Sequence, residues 1–162
     1  MSGIQSLLAI GAIWLFALVT INFNSSVVHN ISLEVENKVY LTAFSLADDK
    51  IEEIKQKAFD ENTIEFNAIN VNDLSLIGSE EGNNRNLFDD IDDYNNDTTY
   101  IGLPYVENFT VTTRVFYADP NNPDANLSGT AKSFFKKVEV IVTSQYLITP
   151  VHLNFIFTLH SK

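Results

Sequence analysis

The chain opens on a stretch that carries no charge. No Asp, Glu, Lys or Arg occurs from Met1 to Leu33, and Glu34 is the first formally charged side chain. Within this stretch Leu7 to Ile21 reads LLAIGAIWLFALVTI, with Thr20 its only polar member. From Ile4 to Phe23 the run is about 20 residues, which an α-helix extends to roughly 30 Å, the thickness of a bilayer's hydrocarbon core. The side chains of Ile4, Leu7, Leu8, Ile10, Ile13, Trp14, Leu15, Phe16, Leu18, Val19 and Ile21 would cover every face of that helix. A helix apolar all round needs lipid or other apolar helices as its surroundings, and is rare as the core of so small a domain. A cleaved secretory signal has basic residues first and a small-x-small site afterwards. Here Met1-Ser2-Gly3 precede the run and Asn22-Phe23-Asn24-Ser25-Ser26 follow it. The expectation is a membrane-inserted helix. Lys38 is the first basic residue, so the positive-inside signal is silent, and the acidic bulk of the chain is expected on the outer side.

The helical beat does not stop at the membrane. Val28, Ile31, Val35, Val39, Ala43, Leu46, Ile54 and Ala58 recur near three- and four-residue spacing with charges between them. No Gly or Pro interrupts Ile13 to Asp60, and Glu53 and Lys57 form an i,i+4 pair in the favourable order. One helix from Ile4 to Phe59 would be about 84 Å long. Asn22 to Ser26 and the β-branched pair Val27-Val28 are its weak points, where a kink is expected. The first half wants lipid or copies of itself, and the second half, with one apolar stripe, wants a domain of its own chain.

After Asp60-Glu61-Asn62 the signals change. Thr63 to Ile77 holds short alternations (Ile64, Phe66, Ala68; Val71, Leu74, Leu76) that suit one or two irregular strands. Phe109 to Tyr117 and Lys137 to Thr143 read as strands, joined by the turn-rich Asp119-Pro120-Asn121-Asn122-Pro123-Asp124 into a long-looped antiparallel pair. Val151 to His160 offers another, opened by Pro150, with Leu153, Phe155, Phe157 and Leu159 on one face. The fold class is therefore α+β: a long N-terminal helix on a small antiparallel sheet of three or four strands. Residues 1–24 form the membrane or filament-core segment, 25–61 the amphipathic continuation, and 62–162 an extracytoplasmic β-rich domain.

Charge narrows the function. Twenty-one acids against 10 Lys and Arg leave −11, which disfavours nucleic acid and anionic lipid as partners and favours solubility. With no cysteine, disulfides, thiolate metal sites and Cys nucleophiles are excluded. No Gly-x-Ser-x-Gly, glycine-rich phosphate loop or His-Glu-x-x-His appears, and acid pairs such as Glu52-Glu53 are expected to face water. His29, His152 and His160 are scattered; the last two share a strand face by parity but would lie about 26 Å apart, too far to share a metal. No enzyme constellation and no cofactor is expected.

Three segments together resemble the type IV pilin and type II secretion pseudopilin superfamily, closest to its minor subunits. They are the uncharged run IQSLLAIGAIWLFALVTINFN after Gly3, the helix end AFSLADDKIEEIKQKAFDE, and NLFDDIDDYNN followed by the strand pair. The resemblance implies insertion in the bacterial inner membrane, a lollipop shape, and assembly with other pilin-like subunits into a cell-surface filament through the apolar helices. It also implies processing after a Gly, and Gly3 stands at that position, with Ile4 as the mature end. Two features depart from the pattern: the leader has no basic residue, and Leu8 stands where most members carry an acid that pairs with a neighbour's amino terminus. The second departure favours a minor or tip role. The rival expectation is a single-span anchored binding or scaffold domain that never polymerises.

Two details of the chain carry sharper expectations. Trp14 falls near mid-membrane, where lipid contact and packing on a neighbouring helix compete, and Gly11 and Ala12 would allow close helix approach. Glu80 to Asp97 holds seven acids and only Arg85 to offset them. Asp93, Asn95 and Asp97 have the alternating spacing of calcium ligands, but neither the turning Gly nor the closing Glu of an EF-hand follows. A solvated loop with Asx-turns is the plainer expectation.

Overall fold

A computed structural model describes residues 3–65, 68–82, 84–103 and 106–159. The chain divides into two units, Met1–Lys38 and Val39–Lys162. Helix α1 (Gly3–Ile54) supplies all the described structure of the first unit and the opening element of the second. Asn22 to Val28 is helical throughout, so the secondary structure is unbroken at the expected weak point. A Thr20 hydroxyl that donates to the Phe16 carbonyl at 2.8 Å satisfies the run's one polar side chain inside the helix itself.

The second unit is α+β, as expected. Its sheet contains β1 (Thr98–Leu103), β2 (Val106–Asp119), β3 (Asn122–Asn126), β4 (Phe135–Thr143) and β5 (Val151–Thr158). The main path runs β1-β2-β4-β5, antiparallel throughout, while β3 pairs with the far end of β2. The sheet thus has five strands. The turn-rich connection folds back as the short β3, and Pro123 is tolerated there because β3 is an edge. The expected strand pair is in register from Thr110↔Thr143 to Tyr117↔Lys136.

Period-two alternation builds the core. Phe109, Val111 and Val115 of β2 and Val138, Val140 and Val142 of β4 are buried on one face, with Leu153, Phe155 and Phe157 of β5 packed beside them. Phe155 and Phe157 meet edge to face at 4.8 Å between ring centroids. Onto this face α1 lays Val39, Ala43, Ala47, Ile51 and Ile54. Ala43 and Ala47 are wholly buried, and their small side chains let helix and sheet approach closely. The buried stripe begins at Val39; Val28, Ile31 and Val35, which continue the spacing, are exposed.

Two expectations are corrected between the helix and the sheet. First, α1 ends at Ile54 rather than Phe59, although Lys55, Gln56 and Lys57 are good helix formers. The chain tightens to i→i−3 bonds (Gln56 N–H to Glu53 O, 3.2 Å; Lys57 N–H to Ile54 O, 3.0 Å). Ala58 is then taken into a parallel bridge with Asp90, donating to Asp89 O at 2.9 Å and accepting from Ile91 N at 3.0 Å. A tertiary pairing overrides local propensity. Second, Thr63 to Ile77 contributes no described strand. It forms a one-turn helix α2 (Asn62–Glu65) and a 3-10 turn (Val71–Asp73). Side chains compete successfully for the backbone here: Asp73 Oδ2 accepts from the N–H groups of Ile69 and Asn70 at 3.2 and 2.8 Å. Ala68 and Leu74 are buried with Tyr117 in a second apolar cluster, while Ile64, Ile69 and Leu76 are exposed. Phe66 lies outside the described residues.

The close helix–sheet contact at Ala47 is directly testable. Ala47→Leu forces extra volume into a filled site and should cost about 1–3 kcal/mol. Leu41→Ala, on an exposed side of the same helix, should leave stability within about 0.5 kcal/mol. Chemical denaturation of the full chain in detergent, followed by near-ultraviolet circular dichroism, distinguishes the two variants.

Candidate functional site

The apolar segment of the first unit is bare. Ile4, Leu7, Leu8, Ile10, Ile13, Trp14, Leu15, Phe16, Leu18, Val19, Ile21 and Phe23 are each more than half exposed, from 51% at Leu18 to 75% at Leu7 and Phe16. At about 100° per residue these positions fall on all sides of the helix. The helix is long and apolar enough to cross a membrane. Gly3 opens it, Ile4 follows within it, and a Cβ built on Gly11 would meet nothing within 4 Å.

The second concentration of chemistry is a group of acids buried around one lysine. Lys136, at the start of β4, and Tyr117, near the end of β2, are cross-strand partners that both face the core. The Lys136 ammonium has three protons and three acceptors: Phe59 O at 2.7 Å, Asp60 Oδ2 at 2.9 Å and Asp92 Oδ2 at 2.7 Å. Lys136, Asp60 and Asp92 are 0% exposed. The rings of Phe59 and Tyr117 flank the cation, 4.7 and 5.2 Å from centroid to Nζ. Asp60 also accepts from the N–H groups of Asn62 (3.2 Å) and Ser75 (2.9 Å). The Ser75 hydroxyl sits between Asp60 Oδ2 (3.2 Å) and Asp92 Oδ2 (2.9 Å). The Tyr117 hydroxyl lies 3.0 Å from Asp60 Oδ2 and 2.8 Å from Ser75 O.

Asp90 completes the group differently. Its Oδ1 accepts from the N–H of Asp92 at 2.7 Å and of Asp93 at 3.1 Å, an Asx-turn, while its buried Oδ2 has no hydrogen-bond partner. The acidic loop is thus divided: Asp90, Asp92 and Asp93 are buried, while Glu80, Asp89 and residues 84–87 are exposed as a solvated loop would be. One ammonium cannot balance three carboxylates, and the protonation pattern follows. Burial opposes charge on Asp60, yet the Lys136 cation and the hydrogen bonds of Ser75 and Tyr117 hold its carboxyl below the usual range. Burial dominates at Asp92 and pushes it up to about 6 despite Lys136. Burial, reinforced by the Asp92 charge, pushes Asp90 up to about 7. Burial also raises the Tyr117 hydroxyl, followed by the Asp60 and Asp92 charges, so Tyr117 acts as a donor.

The sequence-derived calcium triplet is dispersed in use. Asp93 Oδ2 accepts from Asp89 N at 3.0 Å, Asn95 Oδ1 from Val115 N at 3.2 Å, and Asp97 Oδ1 from Arg85 Nε at 2.7 Å. Asn96, in the left-handed region with φ 62°, turns the chain from these residues into β1. His29 and His152 are exposed, and His160 lies outside the described residues. Sequence reasoning missed Asp60, Ser75, Asp90, Asp92, Tyr117 and Lys136 as a group. Strand parity carried the signal: Lys136 alternates with Val138, Val140 and Val142, so it had to enter the core and meet acids there.

Comparison with protein-family models, curated proteins and solved structures finds no match.

Two measurements test the buried group. Lys136→Met leaves Asp60 and Asp92 without their cation and should cost about 3–5 kcal/mol. The pH dependence has a definite sign. Asp90 and Asp92 bind protons more tightly folded than unfolded, so their contribution falls as pH rises from about 4 through 7. Asp60 is shifted the other way, so its contribution is present above about 4 and lost as pH falls further. Thermal melts in metal-free buffer should therefore be higher at about pH 5.5 than at pH 8, and fall again below about pH 4. Asp90→Asn keeps the Oδ1 acceptor, removes one proton requirement and should flatten the rise.

Proposed function

We propose that this protein is a pilin-like structural subunit, a minor pilin or pseudopilin, that enters a type IV pilus or type II secretion-type filament through α1. One observation carries the reading. A single helix provides an uncharged stretch exposed on every side and then, from Val39, the central helix of an α+β unit. The exposed stretch needs an apolar environment, and two are available to such a subunit: lipid of the inner membrane before assembly, and the helices of other subunits afterwards. Exchanging one for the other changes apolar burial little, so packing and external work rather than the hydrophobic effect would drive extraction. The acidic unit would remain outside the membrane. The role is structural, with no catalysis and no cofactor.

Leu8 favours a second reading. The position offers no carboxylate to pair with a neighbour's amino terminus, and a single-span anchored domain that never polymerises would need none. Filament incorporation separates the two. Sheared and sedimented surface material is probed by peptide mass spectrometry for this protein and its N-terminal peptide. A mature end at Ile4 in that fraction supports the filament subunit; an intact Met1 or Ser2 found only in membranes supports the anchored domain. Leu15→Lys or Leu18→Lys places a charge in the bare stretch, at about 2.5–3.5 kcal/mol mid-membrane, and should abolish incorporation. Normal incorporation of both variants would sink the assembly reading.

A further inference from the structure

Beside the lysine-centred group lies a second set of acids. Glu80, Glu81 and Asp93 each offer a carboxylate oxygen, and these oxygens all lie within 4.8 Å of one another. Glu81 also belongs to an equally close set with Glu61 and Asp89. None of the ion pairs among the described residues reaches any of these five acids. Proximity of exposed acids alone means little. Here, however, Asp93 is only 2% exposed, and its buried Oδ1 has no hydrogen-bond partner. Glu81 Oε2 is likewise buried and without a partner. Desolvated carboxylate oxygens left unmatched are costly, and a cation held between them would offset that cost.

We propose that Glu80, Glu81 and Asp93 form a calcium site, with Glu61 and Asp89 close enough to Glu81 to add charge around it. The donor set is all carboxylate oxygen, which suits a hard cation. Calcium accepts a flexible set of six to eight oxygens, whereas magnesium demands near-ideal octahedral geometry and gives up its water reluctantly, so a set of carboxylates on loop side chains suits calcium better. Three carboxylates leave the remaining positions of a six- to eight-coordinate ion for water, which the exposed Glu80 side admits. Asp93 is well prepared as the inner ligand: Oδ2 is held by the N–H groups of Asp89 and Asp90 at 3.0 and 3.4 Å, which fixes the carboxylate. The site differs from the alternating triplet Asp93, Asn95 and Asp97, of which it keeps only Asp93, since the side-chain oxygens of Asn95 and Asp97 already accept from Val115 and Arg85.

The experiment uses the full chain in detergent micelles at neutral pH, with isothermal titration of calcium chloride and thermal melts in calcium against chelator. Binding in the range of about 10⁻⁵–10⁻³ M, with a higher melt in calcium, is the expected result. Glu81→Gln should weaken binding at least about tenfold, and Asp93→Asn should do the same. Should Asp93→Asn fail to fold, Glu81→Gln decides alone, because Glu81 is only half-buried and Gln keeps its size and one amide oxygen. Asp48→Asn, on the exposed side of α1, should bind calcium as the parent does. No heat and no melting shift up to about 5 mM calcium would overturn the site in favour of a shared proton between Glu81 and Asp93. Calcium binding that Glu81→Gln leaves unchanged would overturn it equally, by placing the ion elsewhere.

Discussion

An ammonium group cut off from water is held only where every proton finds an acceptor and the charge finds its opposite. Lys136 meets both conditions, and much of the second unit is arranged to let it. Its three acceptors come from chain positions far apart: Phe59 and Asp60 just past the end of α1, and Asp92 in the acidic loop. Asp60 in turn gathers Ser75 and Tyr117. Removing the cation would strand carboxylates that have no route to solvent, so the interaction fixes the relative placement of the helix end, the loop and the sheet within this unit. Its contribution to net stability is modest, because desolvation of three ions offsets much of the attraction.

That constraint explains why α1 stops where it does. Among the described residues from Lys55 to Asp97 there is little regular structure: one helical turn, two 3-10 turns and a single parallel bridge. A segment of this kind leaves many backbone N–H groups without ladder partners. Carboxylates take up that role. Asp60 accepts from Asn62 and Ser75, Asp73 from Ile69 and Asn70, Asp90 from Asp92 and Asp93, and Asp93 from Asp89. The abundance of acid in this stretch is therefore structural as well as solubilising. Asp and Asn are poor in helix interiors because they compete for backbone groups, and here the competition builds the fold.

The elements visible in the sequence were those with a sustained period. The uncharged run, the Val39–Ala43 stripe and the alternating strands β2, β4 and β5 each repeat long enough to declare themselves. Ala47 and Ile51 escaped notice because charged residues surround them, although they complete the same stripe. Strand β1 begins inside a run of Asn, Asp and Thr with little alternation, and its place is set by pairing Thr98–Ile101 against β2. The Thr63–Ile77 segment misled because its apolar residues alternate, yet side-chain capture of the backbone outweighed β-propensity. The acidic loop was read as solvated because Asp is seldom buried without a partner. That partner was present in the sequence at Lys136, 44 positions from Asp92, and only strand parity links them.

The two neighbouring acid groups show how position in a single turn divides labour. Asp92 and Asp93 are adjacent in sequence and both buried, yet Asp92 turns to Lys136 while Asp93 turns to Glu80 and Glu81. The first group carries its own cation, and burial with the neighbouring Asp92 charge raises the Asp90 carboxyl to about 7. The second makes no ion pair among the described residues, and its carboxylate oxygens lie within 4.8 Å of one another. With the same residue type in the same turn, the difference cannot come from intrinsic acidity. It comes from which element faces the turn: β4 brings a lysine to one side, and the Ser79–Gly82 segment brings only acids and small residues to the other. A loop built this way is stable as a fold on its lysine side and left with unmatched negative charge on the opposite one.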